Sequence, residues 1–210
     1  MNALLSAPRT IGILVFTDAE ELDFVGPFEV FTMANEMAEL LGREKPFEVV
    51  LISENGSIVK CRKGMRVETE ASFSTAPKLD ILLVPGGQGT RAEVHNPVLL
   101  DWIAKVSETC EWVTSVCTGS MLLAAAGPAN GKTVTTHWAF VEELRNMNLA
   151  DKVRDDVRYV RDGNVLTSAG VSAGIDMALW LVGEIADPQH ARDTQRGMQY
   201  DPCPPYAGAV

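Results

Sequence analysis

The stretch EWVTSVCTGSMLLAAAG, from Glu111 to Gly127, contains a predicted strand, a cysteine and a predicted helix in immediate succession. Residues 112–116 are mostly apolar and β-branched, which indicates a buried strand. Residues 120–126 are rich in Ala, Leu and Met, which favours a helix. Cys117 lies at the switch between the two elements, and the rest of the chain is interpreted around it.

Cys117 is the first candidate for chemistry. A thiol at the start of a helix faces unpaired backbone N–H groups and the positive end of the helix dipole. We expect this position to lower the pKa of the thiol and to favour the nucleophilic thiolate. A buried free cysteine that serves as a small core residue is equally compatible with this stretch alone.

Length and charge limit the class of protein. The chain has 210 residues, which suits one domain over residues 1–210, with a core from about residue 10 to about residue 200 and a Pro-rich C-terminal tail. The net charge of −10 would repel phosphate backbones, so nucleic acid is not an expected partner. No apolar run reaches the roughly 18 residues of a membrane span. The N-terminal MNALLSAPRT lacks the form of a signal peptide, and we expect a cytoplasmic protein without a membrane partner.

The four cysteines, Cys61, Cys110, Cys117 and Cys203, show no CxxC spacing and no metal-ligand pattern with the three histidines. In a reducing compartment they are expected to be free thiols. Cys61 and Cys110 are predicted to be structural, and Cys203 lies in the Pro-rich tail. Neither a metal nor an organic cofactor is expected.

Apolar runs alternate with helical patterns along the chain, which predicts an α/β fold with a mostly parallel sheet between helices. Strands are expected at residues 10–16, 47–52, 79–84, 112–116 and 132–135, and helices at residues 23–41, 97–107, 120–126, 137–147, 172–185 and from Asp187-Pro188 onward. Pro27 suits an early turn of its helix. Residues 54–74 indicate a hairpin outside the main sheet. Residues 157–160 and 164–167 indicate two strands joined by an Asp-Gly turn.

Three loops are expected to meet at the carboxyl ends of the strands, where such folds place their ligand sites. These ends carry Asp23, Gly86-Gly87 and Cys117. The N–H groups of Gly87 and Thr118 could stabilise an anion, and Asp23 could supply an acid or base. Asp23 is also compatible with a helix N-cap. Thr118 either hydrogen-bonds the thiolate or caps the helix.

The histidines offer an alternative base. His137, in TTHW, follows a predicted strand and could lie near the cysteine, although a lone histidine is more often structural. His95 and His190 lie in polar helix starts and are expected at the surface.

Four ordered motifs resemble those of the DJ-1/PfpI superfamily, and within it those of isonitrile (isocyanide) hydratases. They are LDFVGPFEVF, ILLVPGG, TSVCTGSMLLAAAG with TTHW, and GNVLTSAGVSAGIDMAL, within residues 10 to 200. The resemblance implies a flavodoxin-like three-layer sandwich, a homodimer and a cysteine nucleophile elbow at Cys117. It implies that Asp23, often Glu in relatives, is the acidic partner, and that Thr118 and the backbone of Gly87 form an anion pocket. Gly170 and Val171 match a strained stretch beside the active-site helix.

The resemblance implies a small-molecule substrate and the hydration of an isonitrile to an N-substituted formamide through a thioimidate, a hydro-lyase reaction. Two alternatives stay open: a non-enzymatic redox or small-molecule sensor, and a glyoxalase or deglycase activity. The chain departs from the hydratases in carrying Ser168-Ala169-Gly170-Val171 where they have Gly-Gly-Gly-Ile, which bears on the shape of the pocket.

Missing motifs argue against three related functions. PfpI-type proteases have histidine directly after the cysteine, where this chain has Thr118. Glutamine amidotransferases of similar fold have a late His-x-Glu pair, whereas the late histidine here is His190 in QHARD. Regulators of the AraC type share the motifs but need a DNA-reading helix-turn-helix, which is not expected in this chain of 210 residues with a net charge of −10.

Overall fold

The strands and helices come from a computed structural model that describes residues 7–202. The strands are β1 (Arg9–Leu14), β2 (Phe47–Ser53), β3 (Val59–Lys60), β4 (Arg66–Val67), β5 (Ala71–Ser72), β6 (Ile81–Val84), β7 (Trp112–Val116), β8 (Thr133–Thr135), β9 (Lys152–Arg154), β10 (Tyr159–Asp162) and β11 (Val165–Ser168). The helices are α1 (Glu21–Leu40), α2 (Thr90–Glu93), α3 (Pro97–Ser107), α4 (Gly119–Ala126), α5 (Val141–Asn146), α6 (Ala173–Ile185) and α7 (Pro188–Gly197). Cys203 and the end of the predicted tail lie outside the described residues, as do residues 1–6.

The main sheet has seven strands in the order β10-β11-β7-β6-β1-β2-β5. All neighbouring pairs are parallel except β10 with β11, which is antiparallel. Every residue of β6 and β7 is buried, as expected for central strands covered on both faces. Helices α1, α6 and α7 pack against one another, and α3 packs against α4. The predicted α/β fold with a mostly parallel sheet is confirmed.

The segment from residue 54 to residue 74 is only partly a separate hairpin. Strands β3 and β4 do form an antiparallel pair outside the main sheet. Strand β5, however, pairs in parallel with β2 and forms the edge of the main sheet, so the prediction is wrong there. Two residues are too few to produce a periodic pattern, which explains why the sequence does not reveal this strand.

Two helix predictions also differ from the structure. Helix α1 begins at Glu21, which makes Pro27 its seventh residue and places this proline inside the helix rather than in an early turn. The predicted helix over residues 137–147 consists of a 3-10 turn, Trp138–Phe140, followed by the short helix α5. Helix α7 begins as predicted, because the Asp187 side chain accepts a hydrogen bond from the N–H of His190.

The chain reversal between β10 and β11 is shifted by one residue from the prediction. Asp162 pairs with Val165, so the two loop residues are Gly163 and Asn164, and Gly163 has a φ of 64°. Strand β9, which the sequence did not suggest, pairs with β8 in a second small sheet. Of the helices in residues 7–202, none is long and apolar enough to cross a membrane.

Candidate active site

Cys117 occupies a sharp turn between β7 and α4. Its φ is 57°, in the left-handed region that a cysteine adopts only at a cost of about 1–3 kcal/mol. Its N–H donates to the carbonyls of Ser168 and Ala169, both at 3.1 Å, and its own carbonyl accepts from Thr136 Oγ1 at 2.9 Å. These contacts hold the turn, and they leave the side chain at the carboxyl end of the sheet.

Asp23 is the acid beside this cysteine. It is the third residue of α1 and fully buried, whereas the N-cap position belongs to Glu20, so the N-cap alternative for Asp23 is wrong. Its Oδ2 accepts from the N–H of Gly86 at 2.9 Å. Its Oδ1 is buried and accepts no hydrogen bond of normal geometry from the described residues. Burial raises the pKa of Asp23 to about 7, against the lowering effects of the Gly86 N–H and the Cys117 thiol.

The pKa of the Cys117 thiol is raised rather than lowered. Burial raises it to about 12, and the charge of Asp23 adds to this effect, while the N–H and hydroxyl of Thr118 oppose it. The expectation of a lowered pKa is therefore wrong, because desolvation outweighs the donors at the start of α4. Because the pKa of Asp23 lies near neutral pH, its carboxylate form is available to accept the proton of the thiol when the sulfur reacts.

Gly87 and Thr118 lie side by side, and the N–H of Gly87 and the hydroxyl of Thr118 are engaged with each other, whereas the N–H of Thr118 acts on the Cys117 sulfur. The N–H of Gly87 donates to Thr118 Oγ1 at 3.1 Å, and Thr90 Oγ1 donates to the same atom at 3.2 Å. The Thr118 side chain makes no capping hydrogen bond to α4. Gly87 has a φ of 125°, and a Cβ there would lie 2.3 Å from the backbone nitrogen of Glu20. A glycine is thus required where these two loops meet.

Gly170 and Val171 directly follow Ser168 and Ala169, whose carbonyls accept the hydrogen bonds from the N–H of Cys117. Val171 has a φ of 52°, which is a strained conformation for a β-branched residue, and this residue lines the same cavity as Cys117. A Cβ on Gly170 would lie 2.1 Å from Cδ2 of His137, so the imidazole ring packs directly against the backbone at this position.

His137 is placed as a hydrogen-bond donor. Its Nδ1 accepts from the N–H of Ala139 at 3.2 Å, which assigns the ring proton of the neutral imidazole to Nε2. Burial lowers the pKa of His137, which favours this neutral form. The expectation for His190 is wrong: it is 2% exposed, and its Nε2 lies 2.9 Å from the carbonyl of Ala34. His95 is exposed.

A cavity of about 170 Å³ opens at Cys117. It is lined by Glu20, Arg62, Gly87, Gln88, Arg91, Cys117, Thr118, His137, Phe140 and Val171. The sequence did not single out Arg62, Arg91, Gln88 or Phe140. The one available signal was their place in segments next to the predicted strand ends. In residues 7–202, no group of three or more His, Cys, Asp or Glu side chains is arranged to hold a metal ion.

The other described cysteines, Cys61 and Cys110, are buried free thiols away from this cavity. Burial raises the pKa of Cys61 to about 11 and that of Cys110 to about 12.

Comparison with known proteins identifies the family of the chain. The DJ-1/PfpI family profile matches residues 9–184. Isonitrile hydratase from Pseudomonas putida is 36% identical over 196 residues, which cover 93% of this chain and 80% of the hydratase. The crystal structure of a ThiJ/PfpI family protein from Pseudomonas syringae superposes with a TM-score of 0.85 at 31% identity, covering 95% of this chain and 78% of that one. The transcriptional regulator CdhR of Pseudomonas aeruginosa is 29% identical over 81% of this chain, which spans 48% of the regulator.

Proposed function

The chain belongs to the DJ-1/PfpI family, and from that premise we propose that it is an enzyme that hydrates an isonitrile, R–NC, to an N-substituted formamide. The observation that carries the proposal is the buried carboxyl of Asp23 beside the Cys117 thiol, at the strained turn that opens onto the cavity. The substrate class is supported by the similarity to the Pseudomonas putida isonitrile hydratase.

The first step forms a covalent thioimidate. Asp23 takes the proton of the Cys117 thiol as the sulfur attacks the terminal carbon of the isonitrile, and the resulting acid returns that proton to the same carbon. The product is R–N=CH–S–Cys117. The N–H of Thr118 and the positive end of α4 stabilise the thiolate that forms during the attack. A pKa of about 7 lets Asp23 both accept and release a proton near neutral pH.

The second step hydrolyses this intermediate. Asp23, again ionised, takes a proton from water as the oxygen adds to the thioimidate carbon, and it delivers this proton to the nitrogen to give R–NH–CH(OH)–S–Cys117. The C–S bond then breaks as Asp23 passes the hydroxyl proton to the sulfur, which releases R–NH–CHO and restores the thiol and the ionised carboxylate. The Nε2–H of neutral His137, at the wall of the cavity, is a suitable donor to the substrate nitrogen.

The experiment is turnover of para-nitrophenyl isocyanide to the corresponding formamide, followed by chromatography. We expect activity in the wild type and its loss in Cys117→Ala and Asp23→Asn. Absence of turnover in the wild type, or unchanged turnover in Cys117→Ala, would contradict the proposal. Oxidation of Cys117 to sulfinic acid with no turnover of any isonitrile would favour a redox sensor instead. Consumption of methylglyoxal that depends on Cys117 would favour the glyoxalase alternative.

We also propose that this enzyme is a homodimer, which the family resemblance supports, and that it acts in the cytoplasm on a small molecule. Its net charge of −10 argues against a nucleic-acid partner. Light scattering of the purified protein tests the dimer, since a mass near 45.6 kDa is expected for two chains of 22.8 kDa. A mass near that of one chain would contradict it.

A further inference from the structure

Two arginines line the cavity at Cys117, and they come from different parts of the chain. Arg62 lies in the turn between β3 and β4, and Arg91 lies in α2. The protein as a whole is acidic, with a net charge of −10. Two positively charged side chains at one small cavity are therefore unusual in this negatively charged protein. They would attract an anionic ligand.

The guanidinium of Arg91 is held in a fixed position. Its Nη1 donates to the carbonyl of Gly87 at 3.1 Å, and its central carbon lies 4.4 Å from the centre of the Phe140 ring. A guanidinium carries five N–H donors in a rigid plane, so this contact with Gly87 leaves donors free for a second acceptor. Two of them in parallel match the two oxygens of a carboxylate.

Arg62 adds a second positive charge at the cavity. Its backbone N–H donates to the carbonyl of Ala19 at 2.9 Å, which ties this turn to the loop after β1. Within residues 7–202 its guanidinium takes part in none of the ion pairs, which occupy other arginines such as Arg145 and Arg154. The acidic residue of the cavity wall, Glu20, is instead paired with Lys63.

We propose that Arg91 and Arg62 form a carboxylate-binding subsite beside Cys117, and that the preferred substrate is an isonitrile whose R group carries a carboxylate. This inference rests on the proposed hydratase function. An isonitrile group is neutral and has no N–H or O–H donor, so most of the recognition must come from the R group. The small cavity restricts R to a compact group, such as one aromatic ring or a short amino-acid-like carbon chain.

The first test compares two substrates of nearly equal shape, 4-isocyanobenzoate and its methyl ester. The ratio of their kcat/KM values isolates the contribution of the charge. We expect a ratio of about ten or more in the wild type, since hydrogen bonds to a charged group stabilise a complex more strongly than those to a neutral group. The ratio should fall toward one in Arg91→Gln, and less far in Arg62→Gln and Arg91→Lys, which keeps the charge without the planar fork.

The control is Arg196→Gln, an exposed arginine in α7 that does not line the cavity, and it should leave the ratio unchanged. A wild-type ratio of one or less would overturn the subsite. A preference for 4-isocyanobenzoate over its methyl ester that persists in both Arg91→Gln and Arg62→Gln would overturn the subsite as well. If Arg91→Gln does not fold, Arg62→Gln and Arg91→Lys still carry the comparison, because Arg62 is exposed and lysine keeps the cation.

A second test separates failure of the subsite from failure of the hydratase proposal. If the wild type hydrates neither of these substrates nor para-nitrophenyl isocyanide, the hydratase proposal fails. The subsite is then tested by alkylation of Cys117 with iodoacetate and iodoacetamide, followed by peptide mass spectrometry. Relative to glutathione, the rate ratio of the anionic to the neutral reagent should be raised about tenfold. The excess should disappear in Arg91→Gln and shrink at high salt. A ratio equal to that of glutathione would contradict the subsite.

Discussion

Two buried cysteines flank β7, Cys110 before its amino end and Cys117 after its carboxyl end. Their exposed fractions are 7% and 6%, and burial raises the pKa of both thiols to about 12. Each also has a carboxylate nearby that raises its pKa further, Asp80 for Cys110 and Asp23 for Cys117. By burial and acidity alone the two thiols are the same.

The two sites differ in geometry. Cys110 directs its S–H at the carbonyl of Leu79, at 3.6 Å, in an ordinary structural contact. Cys117 has a left-handed backbone, lines a cavity and faces a carboxyl whose own pKa is raised to about 7. A reactive thiol is therefore distinguished here by an acid that can take its proton and by space for a substrate, and not by its resting acidity.

Removal of each thiol should give the largest contrast. Cys117→Ala is expected to lower kcat for isonitrile hydration by at least about 10⁴-fold, because the covalent route is lost. Cys110→Ala should keep kcat within about threefold, since it removes only a structural contact. Steady-state kinetics on para-nitrophenyl isocyanide measures both. Equal losses in the two variants would remove the distinction between the two cysteines.

Replacement of each neighbouring acid should give the next largest contrast. Asp23→Asn keeps the shape but cannot carry the proton, so kcat should fall by about 10³-fold, within the usual range for general acid–base catalysis. Asp80→Asn should stay within about threefold, because its amide oxygen can still accept the hydrogen bond from the N–H of Thr10. A similar loss in Asp80→Asn would place the functional acid elsewhere.

The buried acid at the Cys117 site should also reduce stability at neutral pH. The folded pKa of about 7 lies above the unfolded value of 3.8, so the folded state binds the proton more tightly. The stability that this proton uptake provides is complete below about pH 4 and is lost as the pH rises to about 7. Relative to the wild type, Asp23→Asn should gain about 2–4 kcal/mol between these limits.

Urea unfolding at pH 4, 5.5 and 8 measures this change, and Asp187→Asn is a control of opposite sign. The backbone N–H of His190 lowers the pKa of Asp187, so its ionised form stabilises the fold above about pH 4, and this contribution is lost as the pH falls. Asp187→Asn should lose stability at neutral pH, and the loss should shrink in acid. A pH-independent difference between Asp23→Asn and the wild type would contradict the raised pKa.

A smaller loss of turnover is expected when only the wall of the cavity at Cys117 is changed. In Gly170→Ala the new methyl group collides with the ring of His137, so turnover at Cys117 should fall by about tenfold, while alkylation of denaturant-exposed Cys110 stays unchanged. Gly183→Ala is the matched control, because its Cβ meets no atom closer than 3.5 Å and alanine favours the helix by about 0.5–1 kcal/mol. Full activity in Gly170→Ala would mean that His137 has no role in the reaction.

Local patterns were sufficient to predict most of the frame. The apolar run ILLV predicted the buried strand β6, and Pro97 marked the first residue of α3. The loops that follow the parallel strands meet at one edge of the sheet. One cavity there is therefore lined by Cys117, Thr118, Gly87 and Val171. The element predictions depend on a residue and its immediate neighbours, whereas the expectation for Val171 came from the family resemblance.

The features that the sequence did not predict depend on tertiary packing. Desolvation sets the sign of the pKa shift of Cys117, and it arises from elements far apart in the chain. The burial of His190 depends on the contact between α7 and α1. Arg62 and Arg91 lie in segments too short to carry a periodic pattern, and only the folded chain brings them to the same cavity.

The central claim is that Cys117, and not Cys110, forms a covalent intermediate. The wild type is mixed with an excess of para-nitrophenyl isocyanide, quenched in acid during turnover and analysed by peptide mass spectrometry, because Asp23 is needed for formation of the thioimidate. We predict an added mass equal to that of the isonitrile on the peptide that contains Cys117, and an unmodified Cys110. Turnover with no adduct at Cys117, or an adduct at Cys110 instead, would contradict the mechanism.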